Sequence, residues 1–236
     1  MSHSLEERAK FAGFPLSQVQ LAQFESYRAL IKDWNQKIDI TAITDDEEMD
    51  NKHFIDSLSI FRLVPSTFHG KVLDMGSGGG FPGIPMKIVD PDIELVLVDS
   101  LEKRVQFLEE VIQHLELKGI SCVHARAEDF WHLPQEREAY DVVVSRAVAP
   151  LPTLLEYCLP GVKIGGRFIA MKGPGGLSEL EDSREALRLL GGELKQIDEF
   201  SWTEASYQRV NMEIKKVAST PACYPRGQAK PRKKPL

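Results

Sequence analysis

The chain has 236 residues, 42% of them hydrophobic and 27% charged, which is enough to bury one full core with an extension. No apolar run approaches the roughly 20 residues of a membrane-spanning helix, and the first residues lack the basic and apolar regions of a secretion signal. The 3 cysteines and 6 histidines are scattered, which argues against a disulfide framework and a metal site. We therefore expect a cytoplasmic, monomeric protein without membrane association.

Residues 1–65 are predicted to form a helical extension. Ser17 and Gln20 have the spacing of a capping box, and the apolar residues that follow recur every three or four positions, as on one face of a helix. A second helix is predicted to open at His53 and to end before Pro65. The apolar stripe of the first helix consists of Phe24, Tyr27, Ile31 and Trp34.

Residues 66–218 alternate short apolar runs with helical patterns, which predicts parallel strands joined by crossover helices. The last two apolar runs are joined by a loop too short for a helix, so they are predicted to pair antiparallel. The result is an α/β fold with a mainly parallel seven-stranded sheet and an antiparallel last strand, which resembles class I methyltransferases. The predicted strands are Lys71–Met75, Leu95–Asp99, Cys122–Ala125, Asp141–Ser145, Arg167–Lys172, Leu194–Phe200 and Val210–Ile214, with helices over Gly83–Val89 and Leu101–Leu115.

A glycine-rich loop follows the first strand, with five glycines within eight residues from Gly76 to Gly83. Glycines let the backbone turn tightly and approach a ligand closely. Asp99 ends the second strand, where a carboxylate can accept hydrogen bonds from the two hydroxyls of a ribose. Together the glycine-rich loop, with Gly78 as a candidate contact, and Asp99 predict a nucleotide site.

Asp74 favours one nucleotide over the others. The spacing of Gly78, Gly80 and Gly83 also matches a dinucleotide fingerprint, and a loop without any ligand stays possible. A carboxylate directly before the loop would repel a pyrophosphate. S-adenosylmethionine instead carries a sulfonium and an ammonium, which an acid attracts directly or through water. We therefore predict S-adenosylmethionine as the cofactor.

Polar residues follow three further strands at the same predicted edge. Ala127 and Glu128 are placed to hold the adenine, although Glu128 could equally be an acid at a helix start. Arg146 follows three valines, where a buried guanidinium needs a carboxylate, a phosphate or a base; we favour a functional role over a structural ion pair. Lys172 adds a second cation, or simply ends its strand at a turn. We predict Arg146 and Lys172 as residues that position an anionic acceptor.

The tail, residues 219–236, is basic and rich in proline. No acid follows Glu213, and the seven cations beyond it leave −13 for the remainder of a chain whose net charge is −6. Its four prolines predict that it forms no helix and that it gains order against a polyanion; a solvated terminus is the other interpretation. Those cations are Lys215, Lys216, Arg226, Lys230, Arg232, Lys233 and Lys234.

A set of motifs over nearly the whole chain resembles the RsmG (GidB) family of bacterial methyltransferases. The loop variant Gly-Phe-Pro-Gly-Ile-Pro is the most specific of them, because most class I methyltransferases lack both prolines. Two positions depart from the family: Asp39 replaces the usual Asn, and the tail lacks the usual Arg-Lys-x-Gly-Thr-Pro run. The motifs lie at 38–43, 53–58, 74–85, 98–104, 125–128, 145–147 and 171–173.

The resemblance implies methylation of a guanine at N7 in the 530 loop of 16S ribosomal RNA, at position 527 in the usual rRNA numbering. It also implies that Gly76 and Phe81 line the donor, that Ala127 and Glu128 flank the adenine, and that Arg146 closes the site. Guanine N7 carries a lone pair and no proton, so we expect positioning rather than a general base. The alternatives are a methyltransferase acting on another RNA, a small molecule or a protein, and a nucleotide-sensing binding module.

Overall fold

A computed structural model describes residues 4–65, 68, 70–201 and 208–236. Its seven-stranded sheet has the order β3-β2-β1-β4-β5-β7-β6. The first five strands pair in parallel, whereas β7 is antiparallel to both β5 and β6, which confirms the predicted fold class. The strands are β1 Lys71–Met75, β2 Glu94–Asp99, β3 Ile120–His124, β4 Tyr140–Arg146, β5 Val162–Lys172, β6 Gly192–Ser201 and β7 Gln208–Lys216.

The helices pack in two layers, one on each face of the sheet. One core cluster joins the amino-terminal helices to α5 and α6, and the other joins α7, α8 and α10 to the opposite face. No helix among the described residues is long and apolar enough to span a membrane. The α-helices are α1 Leu5–Phe11, α2 Gln18–Asn35, α3 Asp46–Met49, α4 Asp56–Leu58, α5 Gly83–Val89, α6 Glu102–His114, α7 Ala127–Phe130, α8 Leu151–Cys158, α9 Glu179–Asp182, α10 Arg184–Leu190 and α11 Lys230–Lys233.

The amino-terminal extension shares its core with the sheet. The predicted capping box is present at the start of α2, and Phe24, Tyr27 and Ile31 of that helix are fully buried. The Tyr27 hydroxyl donates a hydrogen bond to the carbonyl of Gly79 in the glycine loop. The extension therefore supports one side of the predicted nucleotide site.

The second predicted helix is longer and less regular than the pattern suggested. It begins at Asp46, where the Asp45 side chain accepts a hydrogen bond from the Glu48 amide at 2.9 Å. A π-helix over Asp50–Ile55 then leads into α4 and a 3-10 turn over Ser59–Arg62. Such wide turns are often found at functional sites.

Two further elements differ from the sequence prediction. Strand β5 begins five residues earlier than predicted, at Val162, because Gly165 and Gly166 interrupt the apolar pattern without ending the strand. The prediction that the tail forms no helix is wrong for α11. Pro231 lies in the first turn of that helix, where a missing backbone N–H breaks no hydrogen bond.

Candidate functional site

The carboxyl ends of the parallel strands meet at one edge of the sheet, and two cavities open there. The nucleotide pocket, of about 250 Å³, is lined by residues that include Gly76, Asp99, Ala127, Glu128, Val148 and Arg232. The cationic pocket, of about 470 Å³, is lined by residues that include His53, Asp56, Arg146, Lys172, Glu179 and Arg209. The segment Arg146-Ala147-Val148 contributes to both, so the two pockets are neighbours.

The glycine loop forms one wall of the nucleotide pocket. Gly76 has a φ of +76°, and a Cβ built there would lie 2.4 Å from Cγ2 of Val148, so this position requires glycine. The amides of Gly76 and Ser77 donate to the Val98 carbonyl at 2.8 and 3.1 Å. These bonds fix the start of the loop against the end of β2.

Asp99 is held rigidly beside the loop. Its Oδ2 accepts from the Gly78 amide at 2.8 Å, and its Oδ1 accepts from the Leu101 amide at 2.9 Å. The side chain is almost fully buried, yet it lines the nucleotide pocket. Each carboxylate oxygen keeps a further lone pair, so Asp99 can still accept from the two hydroxyls of a ribose.

Asp74 lies beneath the glycine loop and does not line the nucleotide pocket. Its Oδ2 accepts from the Gly83 amide at 2.9 Å, whereas Oδ1 has no hydrogen-bond partner among the described residues. Complete burial raises the pKa of Asp74 to about 7. The carboxyl group thus holds the start of α5 and leaves one buried oxygen unpaired.

Only some of the predicted donor residues line the nucleotide pocket. Gly76, Asp99, Ala127 and Glu128 line the nucleotide pocket, and Gly78 acts on it through its bond to Asp99. Phe81 and Arg146 do not line this cavity. Instead the Phe81 ring stacks on His53 at a centroid distance of 4.4 Å, and Cζ of Arg146 lies 5.0 Å from the Phe81 ring centroid.

Arg146 belongs to an ion cluster in the cationic pocket. Its Nη1 lies 2.6 Å from Oδ2 of Asp56, whose Oδ1 accepts from Nε of Arg209 at 3.0 Å. Nη1 of Arg146 also donates to the Lys52 carbonyl at 3.1 Å. Two guanidinium groups thus share one carboxylate at the pocket wall.

His53 completes the surroundings of Arg146. Burial and the neighbouring Arg146 charge lower the pKa of His53 to about 3, so the ring is neutral at physiological pH. A guanidinium only donates, so Nδ1 of His53, 3.3 Å from Nη2 of Arg146, is the acceptor. Nε2 then carries the proton and donates to Oγ1 of Thr41 at 2.7 Å.

Lys172 is the other predicted cation in this pocket. Its Nζ lies 2.8 Å from Oε2 of Glu179 and donates to the Ala149 carbonyl at 2.9 Å. The side chain is only 11% exposed, and its strand and α9 hold it in place. Lys172 therefore projects from the end of β5 as predicted, with its charge partly balanced by Glu179.

Sequence reasoning missed several residues of these pockets, namely His53, Asp56, Glu179, Arg209 and Arg232. His53 and Asp56 lie within the 53–58 motif, which was noted without a role. For Arg209 and Glu179, no pattern in the sequence connects them to Arg146 or Lys172. Only the folded structure shows that Arg209 is paired with Asp56 and Glu179 with Lys172.

The mainly parallel sheet with an antiparallel β7, the glycine loop after β1 and the acid at the end of β2 together define a class I S-adenosylmethionine-dependent methyltransferase. The residues suit this donor: Gly76 leaves space, Asp99 suits a ribose, and the unpaired oxygen of Asp74 provides an acid beneath a cationic ligand. The profile of the GidB family, described as rRNA small subunit methyltransferase G, matches residues 20–207. The chain therefore belongs to this family, and its predicted cofactor is confirmed.

Relatives of this chain align with it over almost the full length of both proteins. A protein named ribosomal RNA small subunit methyltransferase G from Acetivibrio thermocellus is 51% identical, with 98% of this chain and 95% of that protein aligned. A protein of the same name from Halalkalibacterium halodurans is 47% identical, with 98% and 96% aligned. These relatives confirm the family that the sequence motifs indicated.

Solved structures with low sequence identity share the fold. The structure of M. jannaschii TYW2 in complex with AdoMet has a TM-score of 0.54 and 14% identity, covering 69% of this chain and 77% of that one. A branched-chain polyamine synthase from Thermus thermophilus has a TM-score of 0.61 and 13% identity, covering 86% and 68%. Since a polyamine synthase shares it, the fold by itself does not decide the reaction.

Proposed function

We propose that this protein transfers the methyl group of S-adenosylmethionine to N7 of a guanine in small-subunit (16S) ribosomal RNA, in the 530 loop at position 527. The observation that carries the proposal is the pairing of two adjoining pockets across Arg146-Ala147-Val148. One pocket has the groups that a nucleoside donor needs, and the other has cations for a nucleic-acid acceptor. Family membership supports the ribosomal acceptor, and the motif resemblance supports the guanine and its position.

The chemistry of this acceptor suits the cationic pocket. Guanine N7 attacks with its lone pair, so no proton has to be removed before the methyl group is transferred. The donor, when bound, supplies a methyl group on a sulfonium, and the electrons of the broken carbon–sulfur bond stay on sulfur. Asp56 and Glu179 are each paired with cations, and His53 is already a hydrogen-bond acceptor for Arg146. Positioning in line therefore carries the reaction.

Arg146 is the residue that we propose for holding the acceptor. Its guanidinium is fixed by Asp56 and by the Lys52 carbonyl, and it lies over Phe81. Arginine recognises guanine O6 and N7 or a phosphate in a bidentate manner. Since N7 must remain free to react, the proposed contacts are O6 or the phosphates. Lys172 and Arg209 would bind further phosphates at the rim.

The decisive experiment uses methyl-labelled S-adenosylmethionine and small ribosomal subunits that lack the mark. We expect label in the 16S RNA, and mapping is expected to place N7-methylguanosine at position 527. Label at another base or in another RNA would replace the proposed acceptor. Label only in small molecules or proteins would contradict an RNA acceptor, and donor binding without turnover would indicate a sensing module.

The proposal further includes a monomeric enzyme in the cytoplasm. Light scattering of the purified protein, with and without the subunit, tests the oligomeric state.

A further inference from the structure

The tail is anchored to the body by several polar contacts, most of them at least partly buried. The Arg137 guanidinium donates to the carbonyls of Thr220, Pro221 and Tyr224 at 2.8, 3.0 and 2.8 Å. Further along, the hydroxyl of Thr153 on α8, which is 1% exposed, donates to the Pro231 carbonyl at 2.9 Å. The tail is thus fixed at both its beginning and its end.

Glu156 on α8 makes this anchoring necessary. Its side chain is fully buried, and it accepts from the amide, Nε and Nη2 of Arg226 at 2.6 to 3.1 Å. Removing one partner of such a pair leaves an uncompensated buried charge, which destabilises the fold. The body of the protein therefore requires the tail for its own stability.

Two of the seven cations that follow Glu213 are occupied internally. Arg226 is neutralised by Glu156, and Lys216, at the end of β7, is fully buried, with Nζ donating to the Leu159 and Leu190 carbonyls at 2.8 and 3.2 Å. Within the tail, the other cations lie in α11 and at the residue after it. This arrangement differs from a free basic arm that becomes ordered only on a polyanion.

Tail residues also line the nucleotide pocket. Ala229 and Arg232 face the same cavity as Gly76 and Asp99. Nη2 of Arg232 lies 3.4 Å from the Val148 carbonyl, and Arg232 lines the same pocket as Tyr157 and Glu128.

We propose that residues 226–236 form the outer wall of the methyl-donor pocket and that Arg232 contacts the adenosine portion of the donor. The proposal rests on the assignment of this pocket to the donor under the proposed function. Glu128 belongs to the end where the adenine is expected, and a guanidinium packs well on the face of a purine. The tail thus serves the donor, in addition to any contact that its outer lysines make with RNA.

The test compares Arg232→Ala with Lys233→Ala, which removes the same charge from the next residue of the same helix, one that does not line the nucleotide pocket. Affinities for S-adenosylhomocysteine and for adenosine alone are measured by titration calorimetry on the full-length protein. Arg232→Ala is expected to weaken both by about 10-fold, the effect of a desolvated cation–π contact, whereas Lys233→Ala changes them less than about 2-fold. In turnover, Arg232→Ala raises the KM for the donor and leaves kcat at saturating donor unchanged.

A third variant, Asp99→Asn, separates the two proposals. If it fails to weaken donor binding, the assignment of the pocket is wrong. If Asp99→Asn weakens donor binding while Arg232→Ala does not, the assignment of the pocket to the donor stands. The proposal that the tail forms a wall of this pocket is then wrong. The two tail variants could instead lose RNA affinity equally while their donor affinity is intact. This result would show that the tail binds RNA and does not contact the donor. Thermal melts confirm that each variant is folded.

Discussion

The two pockets are built in different ways. In the nucleotide pocket, Gly76 of the glycine loop leaves space for a ligand, and two backbone amides hold the acid Asp99 in place. The cationic pocket consists of charged side chains that hold one another: Asp56 is paired with Arg146 and Arg209, which lie 90 and 153 residues further along the chain. A change in the first pocket thus stays local, whereas a change in the second alters several charges at once.

This difference predicts how substitutions separate donor binding from acceptor binding. Residues of the nucleotide pocket should change donor affinity with little effect on the acceptor. Residues of the cationic pocket should change turnover and RNA affinity while the donor binds normally.

Arg146→Ala is expected to lower kcat/KM for the ribosomal substrate by about 100-fold or more, because it removes a fixed donor from the acceptor site. Affinity for S-adenosylhomocysteine should change less than about 2-fold, since Arg146 does not line the nucleotide pocket. Methylation assays and calorimetry on the same preparation give both values, and a thermal melt shows that the fold survives.

Arg209→Ala is the matched control, because it removes the other guanidinium of Asp56 and leaves Arg146 paired. We expect a smaller loss of turnover. If Arg146→Ala instead weakens donor binding as strongly as it weakens turnover, the two pockets are not separate.

Asp99→Asn is expected to weaken donor binding by about 10-fold to 100-fold, the range for losing charged hydrogen bonds to the donor. RNA affinity, measured by filter binding, should stay unchanged. Asp92→Asn, an exposed aspartate just before β2, is the control and should bind the donor normally. A weakening that is the same in both variants would point to overall charge instead of the proposed ribose contact.

Asp74→Asn tests the buried acid beneath the loop through the pH dependence of stability. The pKa of Asp74 is about 7 in the folded protein against 3.8 for the ordinary side chain, so the folded state binds the proton more tightly. Its contribution to stability is therefore complete below about pH 4 and is lost as the pH rises to about 7. Asp74→Asn should lack this loss, which makes it more stable than the wild type at pH 8 by about 2–4 kcal/mol.

Denaturant unfolding at pH 4 and pH 8 measures the difference for Asp74→Asn. The same variant should bind the cationic donor more weakly at pH 8, because the neutral amide cannot attract it. Stability curves that run parallel for the two proteins would show that Asp74 does not titrate as described.

Ala229→Gly is expected to have the smallest effect. Ala229 has a φ of +55°, in the left-handed region that disfavours side chains, so glycine should stabilise the protein by about 1 kcal/mol. Donor affinity should be unchanged, because only a methyl group at the pocket rim is removed. Thermal unfolding and calorimetry check the two statements. A destabilised variant would mean that the Ala229 side chain makes a necessary contact.

The sequence could predict whatever is encoded in neighbouring residues. The strands, the glycine loop and Asp99 follow from local patterns, and their positions at one sheet edge follow from parallel topology. The ion cluster could not be predicted, because Asp56 and Arg209 become neighbours only through the pairing of β5 with β7 and the packing of the extension. The tail was misjudged because prolines exclude a long helix but permit a short one with Pro231 in its first turn.

The segment Arg146-Ala147-Val148 connects the two pockets through a short stretch of backbone. Ala147, with a φ of +57°, turns the chain so that Arg146 faces one pocket and Val148 the other. Two peptide units span at most about 7 Å, and this length cannot be stretched by side-chain motion. Bond lengths therefore keep the backbone of Arg146, which we propose to hold the acceptor, within about 7 Å of the backbone of Val148, which borders the nucleotide pocket.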